Sequence, residues 1–122
     1  MTVGEQGRRD EVIAQFDEAV NMTPTELERW LGTEDSRQVG QKASRGGESV
    51  GHASGRRIAE LRQKKKGDLT EDDLAHMRKV VGYVRRHLAQ QPSGRVQDAP
   101  WRYSLMNWGH DPLKDDGNGS RR

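Results

Sequence analysis

Residues 69–90 read LTEDDLAHMRKVVGYVRRHLAQ, and this stretch decides the fold class. Thr70 is a good N-cap, and Glu71, Asp72 and Asp73 follow in the first turn, where carboxylates complement the helix dipole. Leu74, Met77, Val81, Val84 and Leu88 then recur at helical spacing and make one apolar stripe. Pro92-Ser93-Gly94 ends the pattern. The spacing predicts an amphipathic helix from Thr70 to about Gln90.

Upstream, Ile58, Ala59 and Leu61 turn inward on a helix that starts near Ser54 and stops at Gly67. Residues 33–53, TEDSRQVGQKASRGGESVGHA, hold four glycines and few apolar side chains, and read as a long polar loop. Before it, Thr23-Pro24-Thr25-Glu26 combines an N-cap, a proline at the first helical position and a capping-box glutamate. The helix it opens buries Leu27, Trp30 and Leu31 and stops at Gly32. Val12, Ile13, Phe16, Ala19 and Val20 place a further amphipathic helix over 10–21. Downstream, Trp101, Leu105 and Trp108 share one face of a short helix after Pro100, closed by Gly109 and Pro112. That face packs on the core in this reading, because a chain with three tryptophans and one Phe has few other large apolar groups to bury.

No segment alternates as a strand does. The expectation is an all-α fold, a small irregular bundle of four or five helices in one domain over residues 10–113. The Gly-rich basic loop at 33–53 interrupts it, and disordered tails, 1–9 and 114–122, flank it.

Composition narrows the function. The chain has 122 residues, of which 30% are hydrophobic and 33% charged, so its core is modest. Without cysteine there is no disulfide, thiolate zinc site or thiol chemistry. No apolar run has the length of a membrane span or a signal-peptide core, which gives a soluble, cytoplasmic expectation. The net charge of +2 hides a segregation. Residues 1–35 carry nine acids against Arg8, Arg9 and Arg29, a net of −6, whereas residues 36–110 carry fifteen Lys and Arg against seven acids, a net of +8.

The stretches NMTPTELERWL (21–31), GESVGHASGRRIAEL (47–61), the 69–90 segment and WRYSLMNWGHDPLK (101–114) resemble a family of small proteins. It is an uncharacterised domain of unknown function, found in bacteria and fungi, whose members are often labelled DNA-binding proteins. The resemblance covers about residues 10–114. It implies DNA binding, and brings no catalytic residue or ligand to carry over.

The residues point the same way. Lys42, Arg45, Arg56, Arg57, Arg62, Lys64, Lys65 and Lys66 share their span with only Glu48 and Glu60. Phosphate backbones demand such charge, because neutralising them releases condensed counterions. Interspersed glycines and serines, including Gly51, Ser54 and Gly55, would leave backbone N–H groups open to phosphate oxygens. Arg78, Arg85 and Arg86 supply supporting contacts. Beside them His76, Val80, Tyr83 and His87 form a row that could stack on bases, although such rows more often pack against a neighbouring element.

Rival chemistries find less support. His76 and His87 are three helical turns apart, and no zinc-protease spacing exists, so no metal is expected. GGESVGHASG lacks the strand and the GK[ST] ending of a phosphate-binding loop. The expectation is a non-enzymatic DNA-binding protein without cofactors and with little sequence discrimination. The alternative is a protein-interaction or self-associating chain that pairs its acidic N-terminal helix with its basic centre.

Overall fold

The structure is a computed structural model, and it describes residues 3–39 and 50–114. Six α-helices account for most of it: α1 (Val3–Ala19), α2 (Pro24–Leu31), α3 (Glu34–Val39), α4 (Val50–Gln63), α5 (Glu71–Leu88) and α6 (Pro100–Asn107). A single 3₁₀ turn, Lys66–Asp68, links α4 to α5, and the described residues contain no strand. The all-α expectation holds, with one helix more than the four or five anticipated.

The strong sequence signals land where they point. Thr70 caps α5, its hydroxyl accepting from Asp73 N while the Asp73 carboxylate accepts from Thr70 N. Thr23 and Glu26 make the corresponding box at the start of α2. Leu74, Met77, Val81 and Val84 are buried. So are Val12, Ile13, Phe16 and Val20 of the first helical stretch, and Trp101, Leu105 and Trp108 of the last. Phe16, Leu27, Ile58, Val80 and Leu105 are 0% exposed, and burial of such side chains stabilises by roughly 1.5–3 kcal/mol each. α1 packs on α5, α2 packs on α4, and α6 touches α2, α3, α4 and α5.

Three boundaries differ from the sequence reading. Helix α1 begins at Val3, not Asp10, so much of the expected 1–9 tail is helical. Extending a docked helix by one residue costs little, and Arg9 donates to the carbonyls of Lys66 and Leu69, tying this end to the α4–α5 turn. Helix α3 forms inside the expected loop. Thr33 starts it by accepting from Ser36 N, and the residue it buries is a serine, so no apolar stripe announces it. Helix α4 starts at Val50 because Gly51, Ser54 and Gly55 are its buried packing face. A Cβ on Gly55 would stand 2.5 Å from Asn107 O and 2.7 Å from Leu31 Cδ2, so only glycine lets these elements approach so closely.

The C-terminal strap 107–114 closes the bundle. Asn107 is fully buried between α2 and α3: its Oδ1 accepts from Trp30 Nε1 at 2.7 Å and from Ser36 Oγ at 2.5 Å. Gly109 has φ +85°, and a Cβ there would lie 2.9 Å from Val20 Cγ1. His110 Nδ1 donates to Ala19 O, the last carbonyl of α1, just as His52 Nε2 donates to Leu31 O at the end of α2. Arg102 grips Asp111 through two 3.0 Å bonds. Lys114, assigned in the sequence reading to a disordered tail, donates to Asn21 O and Glu26 Oε1 and so belongs to the fold.

Candidate nucleic-acid interface

Helix α5 turns its stripe inward, and the opposite face is left to water. Arg78, Lys79, Arg85 and Arg86 are all exposed there. Residues spaced by seven stand on nearly the same side of a helix, so Arg78–Arg85 and Lys79–Arg86 form two rows about 10.5 Å long. Ala75 and Gly82 lie between the rows. No Asp or Glu occurs from Leu74 to Gln97. Among the described residues, none of these four cations has a carboxylate partner. The Arg86 guanidinium folds back over Gly82, where a Cβ would stand 3.1 Å from its Nη1.

The central basic segment is in a different electrostatic condition. Arg57 and Lys64 both bond Asp73, at 3.2 and 2.6 Å, and Arg62 pairs with Asp17 at 3.4 Å. Asp73 is buried, and the Lys64 ammonium first, then the Thr70 backbone N–H, hold its carboxyl well below the usual carboxylate range. Arg56, Lys65 and Lys66 are exposed. Lys42 and Arg45 lie outside the described residues. The structure therefore brings Arg57 and Lys64 together on one acid. Gly51, Ser54 and Gly55 are packed inside α4, so their backbone N–H groups do not form the open phosphate cradle that the sequence reading suggested.

The ring row beside α5's solvent face is a stack. His76 lies against Trp108 (6.2 Å between centroids), Trp108 against Tyr83 (4.3 Å), Tyr83 against His87 (5.1 Å) and His87 against Trp101 (6.4 Å). All four interplanar angles are 18° or less. The rings pack on one another, most closely Trp108 on Tyr83, and so do not stand free as a platform for bases. Packing against a neighbouring element is what this row does: it fastens α6 to α5, helped by Trp101 Nε1 donating to His87 O. Burial is the main cause that holds both histidines below their ordinary pKa.

Ser54 Oγ lies 3.0 Å from His76 Nε2, a pair the sequence reading missed because the two are twenty-two residues apart. Asp73, one turn before His76, has its oxygens engaged by Arg57, Lys64 and Thr70, and Ser54 is only 5% exposed inside a helix. The pair joins α4 to α5. Among the described residues, no three His, Asp or Glu side chains stand together as a metal site would require.

A cavity of about 620 Å³ opens beside the stack, lined by Val39, Val50, Gly51, Tyr83, His87, Ser104, Asn107 and Trp108. Val39 and Val50 are the residues that flank 40–49. Trp108, Tyr83 and His87 of the stack form part of its wall. Tyr83 and His87 of this wall belong to α5, the helix that carries the four cations.

Fold and site together define a small all-α protein with a cation-studded helix beside an aromatic-edged pocket. The chain belongs to the family described as "Protein of unknown function (DUF3140)", whose model matches residues 15–106. No curated protein and no solved structure matches the chain. No helix among the described residues is long and apolar enough to cross a membrane.

Proposed function

We propose that this protein is a non-enzymatic, cytoplasmic DNA-binding protein that grips the phosphate backbone with the solvent face of α5. The observation that carries the reading is the set of four exposed cations on that face that have no carboxylate partner among the described residues, in a stretch with no acid. Unpaired surface cations lose nothing internal when they meet a phosphate, whereas Arg57, Arg62 and Lys64 must share or leave Asp73 and Asp17. Arg78, Lys79, Arg85 and Arg86 are thus the principal contacts, with Arg56, Lys65 and Lys66 as further contacts. The reading assigns these cations to phosphates, which carry no sequence information, and the helix carries no Asn or Gln for pairing with adenine, so little sequence discrimination is expected.

The test is anisotropy of a labelled 20-base-pair duplex over a salt series. Reversal of Arg78, Lys79, Arg85 and Arg86 to Glu is expected to flatten the slope of log K against log salt by about 3–4, near 0.9 per phosphate contact. Reversal of Arg8, Arg29, Arg121 and Arg122 changes net charge equally and is expected to leave most of the slope in place. Equal losses from both sets would reduce the interaction to overall charge. Undiminished binding by the α5 variant would sink the reading, and a mass that doubles with concentration would then favour the self-associating alternative.

A further inference from the structure

Arg57 comes from α4, Lys64 follows the last residue of that helix, and Asp73 lies in the first turn of α5. One oxygen of the Asp73 carboxylate accepts from Arg57 Nη2 at 3.2 Å, and the other accepts from Lys64 Nζ at 2.6 Å and Thr70 N at 3.0 Å. The Asp73 side chain is 9% exposed, and those of Arg57 and Lys64 are 39% exposed each. One buried acid thus holds two half-exposed cation heads. Withdrawing either cation would leave that carboxylate short of a partner, which is strongly unfavourable. A phosphate that shares the heads in place meets the repulsion of Asp73 beside them. Both routes to a contact are weakened. Arg78 follows Asp73 by five residues, about 7.5 Å of helical rise, so the cluster sits at the N-terminal end of the helix read as the grip. Lys65 and Lys66, next to Lys64 in the chain, are exposed and already counted as further contacts.

We infer that Asp73 is an internal competitor of phosphate, which occupies Arg57 and Lys64 and so holds DNA affinity below what the cations of this chain could give. The inference rests on the DNA-binding reading and adds to it a residue that sets binding strength without touching the nucleic acid. Removing the charge of this buried acid is expected to weaken the fold and strengthen the binding. A residue that served the fold alone would do only the first.

The experiment uses the full chain, the labelled 20-base-pair duplex and the same salt series. Asp73→Asn keeps an oxygen for Thr70 N and removes the charge. It is expected to steepen the slope of log K against log salt by about 1.8, near 0.9 for each cation released. Asp72→Asn changes net charge equally at an exposed acid that pairs with no cation among the described residues, and its slope should stay near that of the wild type. Adding Arg57→Gln and Lys64→Gln to Asp73→Asn should restore the wild-type slope. An Asp73→Asn slope no steeper than that of Asp72→Asn overturns the inference, and so does a triple variant as steep as Asp73→Asn. Nitrogen-15 spectra of the wild type decide the matter even if Asp73→Asn does not fold. The side-chain N–H signal of Arg57 should hold its position as duplex is added while those of Arg78 and Arg85 move, and equal movement of all three overturns the inference. Steepening by Asp73→Asn, together with undiminished binding by the α5 reversal variant, would keep the role of Asp73 and discard α5 as the grip. No duplex binding by either the wild type or Asp73→Asn removes both.

Discussion

Asn107 and Ser36 hold each other twice in the core: Ser36 Oγ donates to Asn107 Oδ1 at 2.5 Å, and Asn107 Nδ2 donates to Ser36 O at 3.0 Å. Both residues are 0% exposed, and Trp30 Nε1 completes the set on Oδ1. Buried polar groups of this kind contribute modestly when satisfied and cost heavily when one partner is removed.

Asn107→Leu is therefore expected to destabilise by about 3 kcal/mol or more, since it leaves the Trp30 indole N–H, the Ser36 hydroxyl and the Ser36 carbonyl without their partner. Urea unfolding of the full chain measures it. A loss under about 1 kcal/mol would mean that water replaces the amide, and that the network is not what seats α3 on α6.

Gly55→Ala puts a methyl 2.5 Å from Asn107 O and 2.7 Å from Leu31 Cδ2. The first contact is backbone and cannot swing away, so α4 must retreat from α6. The expected cost is about 1–3 kcal/mol despite alanine's better helix propensity. Gly67→Ala meets nothing within 4 Å and serves as the comparison, with little change or a small gain in midpoint. Equal behaviour of the two variants would show that α4 has room to shift.

These positions also explain what could and could not be read from the chain. Caps and apolar stripes disclosed α5, α2 and the Trp101–Trp108 face, because there the buried residues are large and periodic. The α3 helix and the first turn of α4 stayed hidden because they bury Ser36, Gly51, Ser54 and Gly55, and hydropathy cannot tell a packed glycine from a loop glycine. The candidate interface was half legible. Every cation was visible, yet whether a cation is spent depends on Asp73 and Asp17, which reach Arg57, Lys64 and Arg62 across nine to forty-five residues. Net charge along the sequence favoured the 42–66 segment. Pairing in three dimensions moves the emphasis to α5.

Thr23→Ala removes the hydroxyl that accepts from Glu26 N, and should cost about 1 kcal/mol, the usual worth of an N-cap. Thr70→Ala should cost more. The Asp73 carboxylate that answers Thr70 is also the anchor for Arg57 and Lys64, so loosening the box disturbs a buried charge. Denaturation midpoints of the two variants check the order. Equal costs would mean that the Asp73 cluster holds its place without the cap.

Acid should unfold the protein in two stages. Burial holds His76 and His87 below their ordinary value of 6.5, with Arg57 and Lys79 adding to the effect at His76. The unfolded chain then takes up these protons more readily than the folded one, so this part of the stability is complete above about pH 7 and declines as the pH falls below 6.5. The buried, partnerless Nε2 of His87 adds a structural reason, because a proton there would have no acceptor. Smaller effects oppose this: Asp73 acts on His76, a backbone hydrogen bond with Trp101 acts on His87, and the faces of Tyr83 and Trp101 beside His87 attract a cation. Burial is the largest cause at both histidines, so the loss is expected to prevail. Asp73 is lowered from 3.8 by Lys64 and Thr70, so its contribution is present above that value and is lost as the pH falls through the range beneath it. Tm against pH should show a plateau, a first decline setting in near 6.5 and a second setting in near 3.8. A His76→Gln, His87→Phe double variant should lose the first decline and keep the second. A Tm that rises on acidification from pH 7 to 5 would show that the ring faces, not burial, govern the stacked histidines.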